Sequence, residues 1–266
     1  MPTLEARGVE LSWSERGRGA PVLLVHETAA GSAAWDGVTL ALEGSARAIR
    51  YDRRGWGPST APQGYARTTI EEQSEDAASL LESLAPGPAV LCGAGIGAII
   101  ALDLMLRHPA LAAGAVLVEP PFLAPLARAT ELLSQDRREL EETVPERGAE
   151  GAVELYLSGG LAALGAGAER LPEALGAEAR ERPQVLFAEL GAPAAWSMPV
   201  GRLAEAELPS LILTGPSTPP LLAEAARELH ELLAGSEVRE VGGATAPPHI
   251  DDPAAVAEAA LEIGRS

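Results

Sequence analysis

Ala89-Val90-Leu91-Cys92-Gly93-Ala94-Gly95-Ile96-Gly97-Ala98 decides the fold. Its first four residues form an uncharged apolar run, the composition of a strand buried on both faces of a parallel sheet. Glycine then recurs at Gly93, Gly95 and Gly97, and an apolar helix is expected over Ile96–Arg107, closed by His108-Pro109. The segment therefore reads strand, tight turn, helix. Working outward, Pro21–Val25 and Ala46–Tyr51 read as strands, and Thr69–Leu84 as a helix with acidic residues on one side and Ala/Leu on the other. Ala115–Val118 is a further strand, stopped by Pro120-Pro121. Strands alternating with helices at this spacing predict a parallel sheet covered on both faces.

From Phe122 onward the strand runs disappear. Charged, Ala/Leu-rich segments such as Ser134–Glu142 and Gly151–Leu157 read as helices broken by Gly and Pro. The strand pattern resumes at Ser210–Leu213, followed by a helix over Leu221–Ala234 with Gly235 behind it, a last strand over Glu237–Val241 and a last helix over Pro253–Ile263. This divides the chain into a core of residues 1–121 and 206–266 and an inserted helical cap of residues 122–205. No internal repeat is visible.

Composition narrows the function. The 266 residues are 47% hydrophobic and 22% charged, which excludes a disordered chain. No apolar run reaches the ~18 residues of a membrane span, and Met1–Gly8 has no apolar stretch of a signal peptide. Cys92 is the one cysteine, so neither an internal disulfide nor a multi-cysteine metal site can form. A cytoplasmic protein is the expectation. The net charge of −18 repels phosphate backbones and argues against a nucleic-acid partner. Lysine is absent altogether, which excludes a Schiff-base lysine and a P-loop. Four histidines without ligand spacing argue against a metal.

Two further segments flank the glycine turn in order: Val25-His26-Glu27-Thr28, leading to Gly31-Ser32 and Trp35, and Tyr51-Asp52-Arg53-Arg54-Gly55-Trp56-Gly57-Pro58-Ser59. With Cys92–Ala98 they resemble the α/β-hydrolase superfamily. The first matches its His-Gly oxyanion loop, the second its Asp-x-Arg-Gly-x-Gly-x-Ser turn and the third its G-x-S-x-G nucleophile elbow. The resemblance covers nearly the whole chain. It implies an α/β-hydrolase fold, a mostly parallel doubly wound sheet with an inserted helical cap, and a small organic substrate without a cofactor.

This sequence departs from that pattern at each triad position. Gly95 stands where the elbow presents its nucleophile, and glycine has no side chain to attack with. In the turn Gly215-Pro216-Ser217-Thr218, Thr218 stands where the resemblance places the acid. In Gly243-Ala244-Thr245-Ala246, Ala246 stands where it places the base, and His249 follows three residues later. Glu27 replaces the usual glycine of the first loop. Glycine relieves the strain that the elbow imposes on a residue with a Cβ.

Two carboxylates follow buried strands, Glu27 and Glu119. They are the candidates for acid–base chemistry, sharing one cavity beside Gly95 with His26 as an orienting or proton-sharing partner. Thr28, Trp35, Gly95, Ile96 and His249 are the candidate substrate contacts. Each has a structural reading beside it: His26 as a loop brace, Glu27 as a solvated carboxylate, Glu119 as a loop anchor, Trp35 as a core plug. Asp52 and Arg54 are expected to tie their turn together. Three functions stand open: an enzyme without a serine nucleophile (a lyase, isomerase, cyclase or atypical hydrolase), an inactive relative that binds a small molecule or partner, and an NAD(P)-dependent oxidoreductase. The last follows from Gly93-x-Gly95-x-x-Ala98, which fits a dinucleotide fingerprint.

Overall fold

The structure is a computed structural model and describes residues 1–196, 200–242 and 245–265. The chain opens on an antiparallel hairpin, β1 (Thr3–Ala6) and β2 (Val9–Gly17). β3 (Pro21–Val25), α1 (Asp36–Leu42), β4 (Arg47–Tyr51), α2 (Ile70–Leu84), β5 (Ala89–Ala94), α3 (Ile96–Arg107) and β6 (Ala112–Val118) follow. Then come α4 (Ala127–Leu157), α5 (Glu173–Glu181), α6 (Pro183–Glu189), α7 (Ala192–Ala195) and α8 (Val200–Ala204). The alternation resumes with β7 (Ser210–Thr214), α9 (Pro220–Leu232) and β8 (Ser236–Glu240), and ends on α10 (Pro248–Asp251) and α11 (Pro253–Ile263).

All eight strands join one sheet in the order β1-β2-β4-β3-β5-β6-β7-β8. From β4 to β8 every pairing is parallel, as the alternation of strands and helices predicts, and β2 joins the edge of β4 antiparallel. The opening hairpin has no counterpart among the expected strands. Its β2 is only half-buried, with charged residues interrupting the apolar positions, so it lacks the continuous run that betrays the central strands. One apolar layer packs α2, α3 and α9 on one face of the sheet, and a second packs α1 and α11 on the other.

The rhythm of glycines around β5 is a packing requirement. A Cβ on Gly93 would lie 2.1 Å from the carbonyl oxygen of Gly97, and one on Gly97 would lie 2.2 Å from that of Val25. Close approach of β3, β5 and α3 accounts for both residues. Nothing in this contact calls for a dinucleotide.

The two helices read over 134–142 and 151–157 are the two halves of α4. Gly148, at φ 64° and ψ −161°, breaks the helical path between them, and Pro145 precedes the break. Among the described residues, no helix is long and apolar enough to cross a membrane.

Candidate functional site

The site is built around the turn from β5 to α3. Gly95 caps α3 with φ 53° and ψ −127°, a left-handed conformation that side chains resist. Its N–H donates to Val118 O at 3.0 Å, which fixes the turn against the end of β6. A Cβ built on Gly95 would stand 3.0 Å from Glu27 Cβ. The side chain of Glu27 therefore starts in the room that glycine leaves open.

The carboxylate of Glu27 runs to the far end of the chain. Its Oε1 lies 2.8 Å from His249 Nε2. His249 is wholly buried, and its ring stacks on Trp35 with centroids 4.7 Å apart and planes tilted by 41°. The position of Nε2 opposite a carboxylate sets the tautomer: Nε2 carries the hydrogen and donates. His249 Nδ1 has no partner among the described residues, and neither has Trp35 Nε1.

Glu119 sits just past β6 at φ 46°, a strained angle for a residue with a side chain. Its Oε1 accepts from Arg170 Nη1 at 3.0 Å and from the Thr218 hydroxyl at 2.5 Å, and its Oε2 pairs with Arg170 Nη2. Thr218 Oγ1 in turn accepts from Gly215 N at 2.7 Å. Glu119 thus lines the same cavity as Glu27, as expected, but is paired with a guanidinium.

His26 is also placed differently from the expectation. Its Nδ1 donates to the backbone carbonyl of Glu27 at 2.7 Å, and its Nε2 accepts from Arg53 N at 3.0 Å. Burial, reinforced by the Arg53 charge, holds its pKa well below the usual histidine value. With both nitrogens committed to backbone, His26 braces the loop and has none left for a ligand.

Arg53 fastens that loop to the inserted helices. It donates to the carbonyls of His26 at 3.0 Å and Glu27 at 3.2 Å, to Gln73 at 2.6 Å, and to both oxygens of Glu189 at 2.7 and 3.1 Å. Trp56 Nε1 adds a bond to Glu189 at 3.2 Å. Both ends of this ion pair are buried, and every donor has an acceptor, the condition under which a buried pair is tolerated. The neighbouring Arg54 pairs with Asp76 and Glu72 on α2, so it ties the turn to a helix and not to Asp52. Asp52 Oδ1 accepts instead from Ser32 N at 2.8 Å.

A cavity of about 60 Å³ lies over Gly95. Its polar end carries Glu27, Thr28, Tyr156 and His249, and its walls include Ile96, Leu123, Leu164, Leu190 and Leu222. Burial, together with the nearby Glu27 and Glu189, pushes the Tyr156 hydroxyl pKa up. The segment between α4 and α5 forms the roof. Asp136 holds it by accepting from the N–H groups of Ala162, Ala163 and Leu164 at 2.7, 2.8 and 2.7 Å.

Six of the eight residues singled out in the sequence line this cavity: Glu27, Thr28, Gly95, Ile96, Glu119 and His249. His26 and Trp35 do not. Trp35 packs against the His249 ring instead. Tyr156, Arg170 and Glu189 also line the cavity. They come from the helical segments, where no motif marks them. Gly243 and Ala244, half of the stretch matched to the triad base, lie outside the described residues. Ala246 is buried, next to Pro247 at the cavity edge.

The profile of the Alpha/beta hydrolase family matches residues 22–259. An uncharacterized hydrolase of Bacillus subtilis, YraK, is 34% identical over 107 residues, 40% of each chain. A putative non-heme bromoperoxidase of Mycobacterium tuberculosis, BpoC, is 31% identical over 112 residues, 41% of this chain and 42% of that one. The chain thus spans about two fifths of the length of these curated relatives. Among solved structures, a thermophilic esterase from Thermogutta terrifontis superposes with a TM-score of 0.75 at 24% identity, covering 99% of this chain and 96% of that one.

Proposed function

Starting from a chain that belongs to the alpha/beta hydrolase family, we propose that it works without an elbow nucleophile, using Glu27 and His249 as an acid–base pair on a small organic molecule. In this reading Gly95, Thr218 and Ala246 occupy the three triad positions, and residues 122–205 form a cap over the core. The observation that carries the proposal is the 2.8 Å contact between Glu27 Oε1 and His249 Nε2 in a cavity whose floor is Gly95. Glu27 Oε1 is taken by the imidazole, while no described group donates to Oε2. Oε2 removes a proton from the bound molecule, the hydrogen bond from His249 stabilises the arrangement, and the carboxyl, after exchanging its proton with solvent, returns one at a second atom of the substrate. No redox partner is needed, and no group is lost from the protein.

Supporting this, the carboxylate that serves is the one without a guanidinium. Glu119 and Glu189 are each neutralised by an arginine and serve as anchors. One observation favours a second reading, an inactive relative that only binds. The base of a triad is held by an acid on its second nitrogen, and His249 Nδ1 has no such partner among the described residues.

A panel of small esters, lactones and enolisable ketones in deuterated buffer, followed by NMR, tests the proposal. Deuterium uptake or turnover on a panel member is expected with wild type, lost in both Glu27→Gln and His249→Gln and retained in Glu119→Gln. Wild-type rates in both of the first two variants would overturn it. Saturable binding with no turnover would establish the second reading.

A further inference from the structure

We infer that the cavity is a site for a small organic cation, an alkylammonium or related N–H donor with a short apolar tail. This assignment rests on the reading of Glu27 as the cavity's working carboxylate, and it names the class of ligand. The basis is charge matching inside a small cavity. Three carboxylates line the cavity, Glu27, Glu119 and Glu189. Glu119 is paired with Arg170 and braced by Thr218; Glu189 is held by both ends of the Arg53 guanidinium and by Trp56. Glu27 has only an imidazole. That imidazole gives Nε2–H to Oε1 and has no partner at Nδ1 among the described residues, and no guanidinium pairs with Glu27. The Glu27 charge is therefore left for the ligand to balance.

Glu27 is 9% exposed, and its Oε2 accepts from no described group. Thr28 and Tyr156 line the same cavity and offer hydroxyl oxygens as further acceptors. An ammonium brings three donors to these oxygens, whereas a carboxylate ligand would add a second negative charge beside Glu27. Part of the wall is aliphatic, from Ile96, Leu123, Leu164, Leu190 and Leu222, which suit a short alkyl chain, and Arg170, which also lines the cavity, is engaged by Glu119. The field of the whole molecule acts in the same sense, because a net charge of −18 draws cations toward the entrance and repels anions.

Calorimetric titration at low salt and mildly alkaline pH with n-butylammonium, 1-butanol and butyrate tests the assignment. Butylammonium is expected to bind saturably, butanol more weakly, and butyrate not at all. Glu27→Gln is expected to weaken the ammonium by about tenfold or more, the loss typical of removing one partner of a buried charge pair. Glu27→Asp, which keeps the charge, retains binding and shows that the loss is not one of folding. Butyrate binding as tight as butylammonium, ammonium binding unchanged in Glu27→Gln, or no saturation by the ammonium with wild type would each overturn the assignment. Turnover that survives Glu27→Gln while ammonium binding is lost would sink the acid–base proposal and leave the ligand class standing. Turnover lost in Glu27→Gln with ammonium binding unchanged would do the reverse.

Discussion

Gly95 and Glu27 form a coupled pair, and neither residue is understood alone. The left-handed turn at Gly95 penalises any side chain, and the particular atom that its Cβ would meet is Glu27 Cβ at 3.0 Å. Gly95→Ser is expected to lower stability by about 1–3 kcal/mol from backbone strain and crowding. In a Glu27→Gly background the same change should cost less, and urea unfolding of the four proteins measures the difference. Equal costs in both backgrounds would show that the two side chains do not compete for space. Wild type should also stay unlabelled at residues 92–98 by a serine-directed fluorophosphonate. His26 gives a prediction in pH. Its folded pKa is depressed, so the native state resists a proton that the unfolded chain accepts below about pH 6.5. Its contribution is fully present above that pH and is lost as pH falls, by up to ~1.4 kcal/mol per pH unit. The His26→Gln variant should be less stable throughout yet show a shallower slope between about pH 6.5 and pH 5, as read from urea midpoints. A slope as steep as wild type would contradict the buried, neutral assignment. The glycine at 95 and the glutamate at 27 are legible in the sequence because each interrupts a recognisable turn. His249 is legible as a candidate contact but its pairing with Glu27 is not, since the two lie 222 positions apart and only tertiary folding brings them together.

Elements whose residues are buried on both faces declare themselves in sequence, and those anchored by single polar contacts do not. The helix over Ile96–Arg107 and the last helix over Pro253–Ile263 have the bounds read from their apolar patterns and flanking prolines. The half-buried β1–β2 hairpin escaped that reading because its alternation is interrupted by charge. The roof segment between α4 and α5 has no periodicity at all. What holds it is Asp136, a buried carboxylate that accepts three successive backbone N–H groups, and the ion pair of Arg170 with Glu119. Asp136→Ala leaves those three amides without their acceptor, and loss of such a charged acceptor costs ~3 kcal/mol or more. Hydrogen exchange at Ala162–Leu164 should accelerate in this variant well beyond the change at β5. Uniform acceleration across the chain would mean that Asp136 supports the whole fold and not the roof in particular.

At the scale of the molecule, a mostly parallel sheet carries its working residues at strand ends, and helices inserted after β6 close a cavity above them. The same surface carries a net charge of −18. Exposed ion pairs such as Arg137–Glu141 contribute little and weaken in salt. Self-repulsion of this excess charge is the larger effect, so raising salt from about 0.02 M to about 0.5 M should raise the melting temperature. A fall would show that the surface pairs outweigh the repulsion. The central claim, that Glu27 and His249 form the polar pair of the cavity in place of an elbow nucleophile, is tested most directly by nitrogen-15 NMR of the four histidine rings. The account predicts that His249 carries its hydrogen on Nε2, and that its ring signals move strongly in Glu27→Gln while those of His108 and His230 stay in place. A His249 ring protonated on Nδ1, or one whose signals are indifferent to Glu27→Gln, would contradict it.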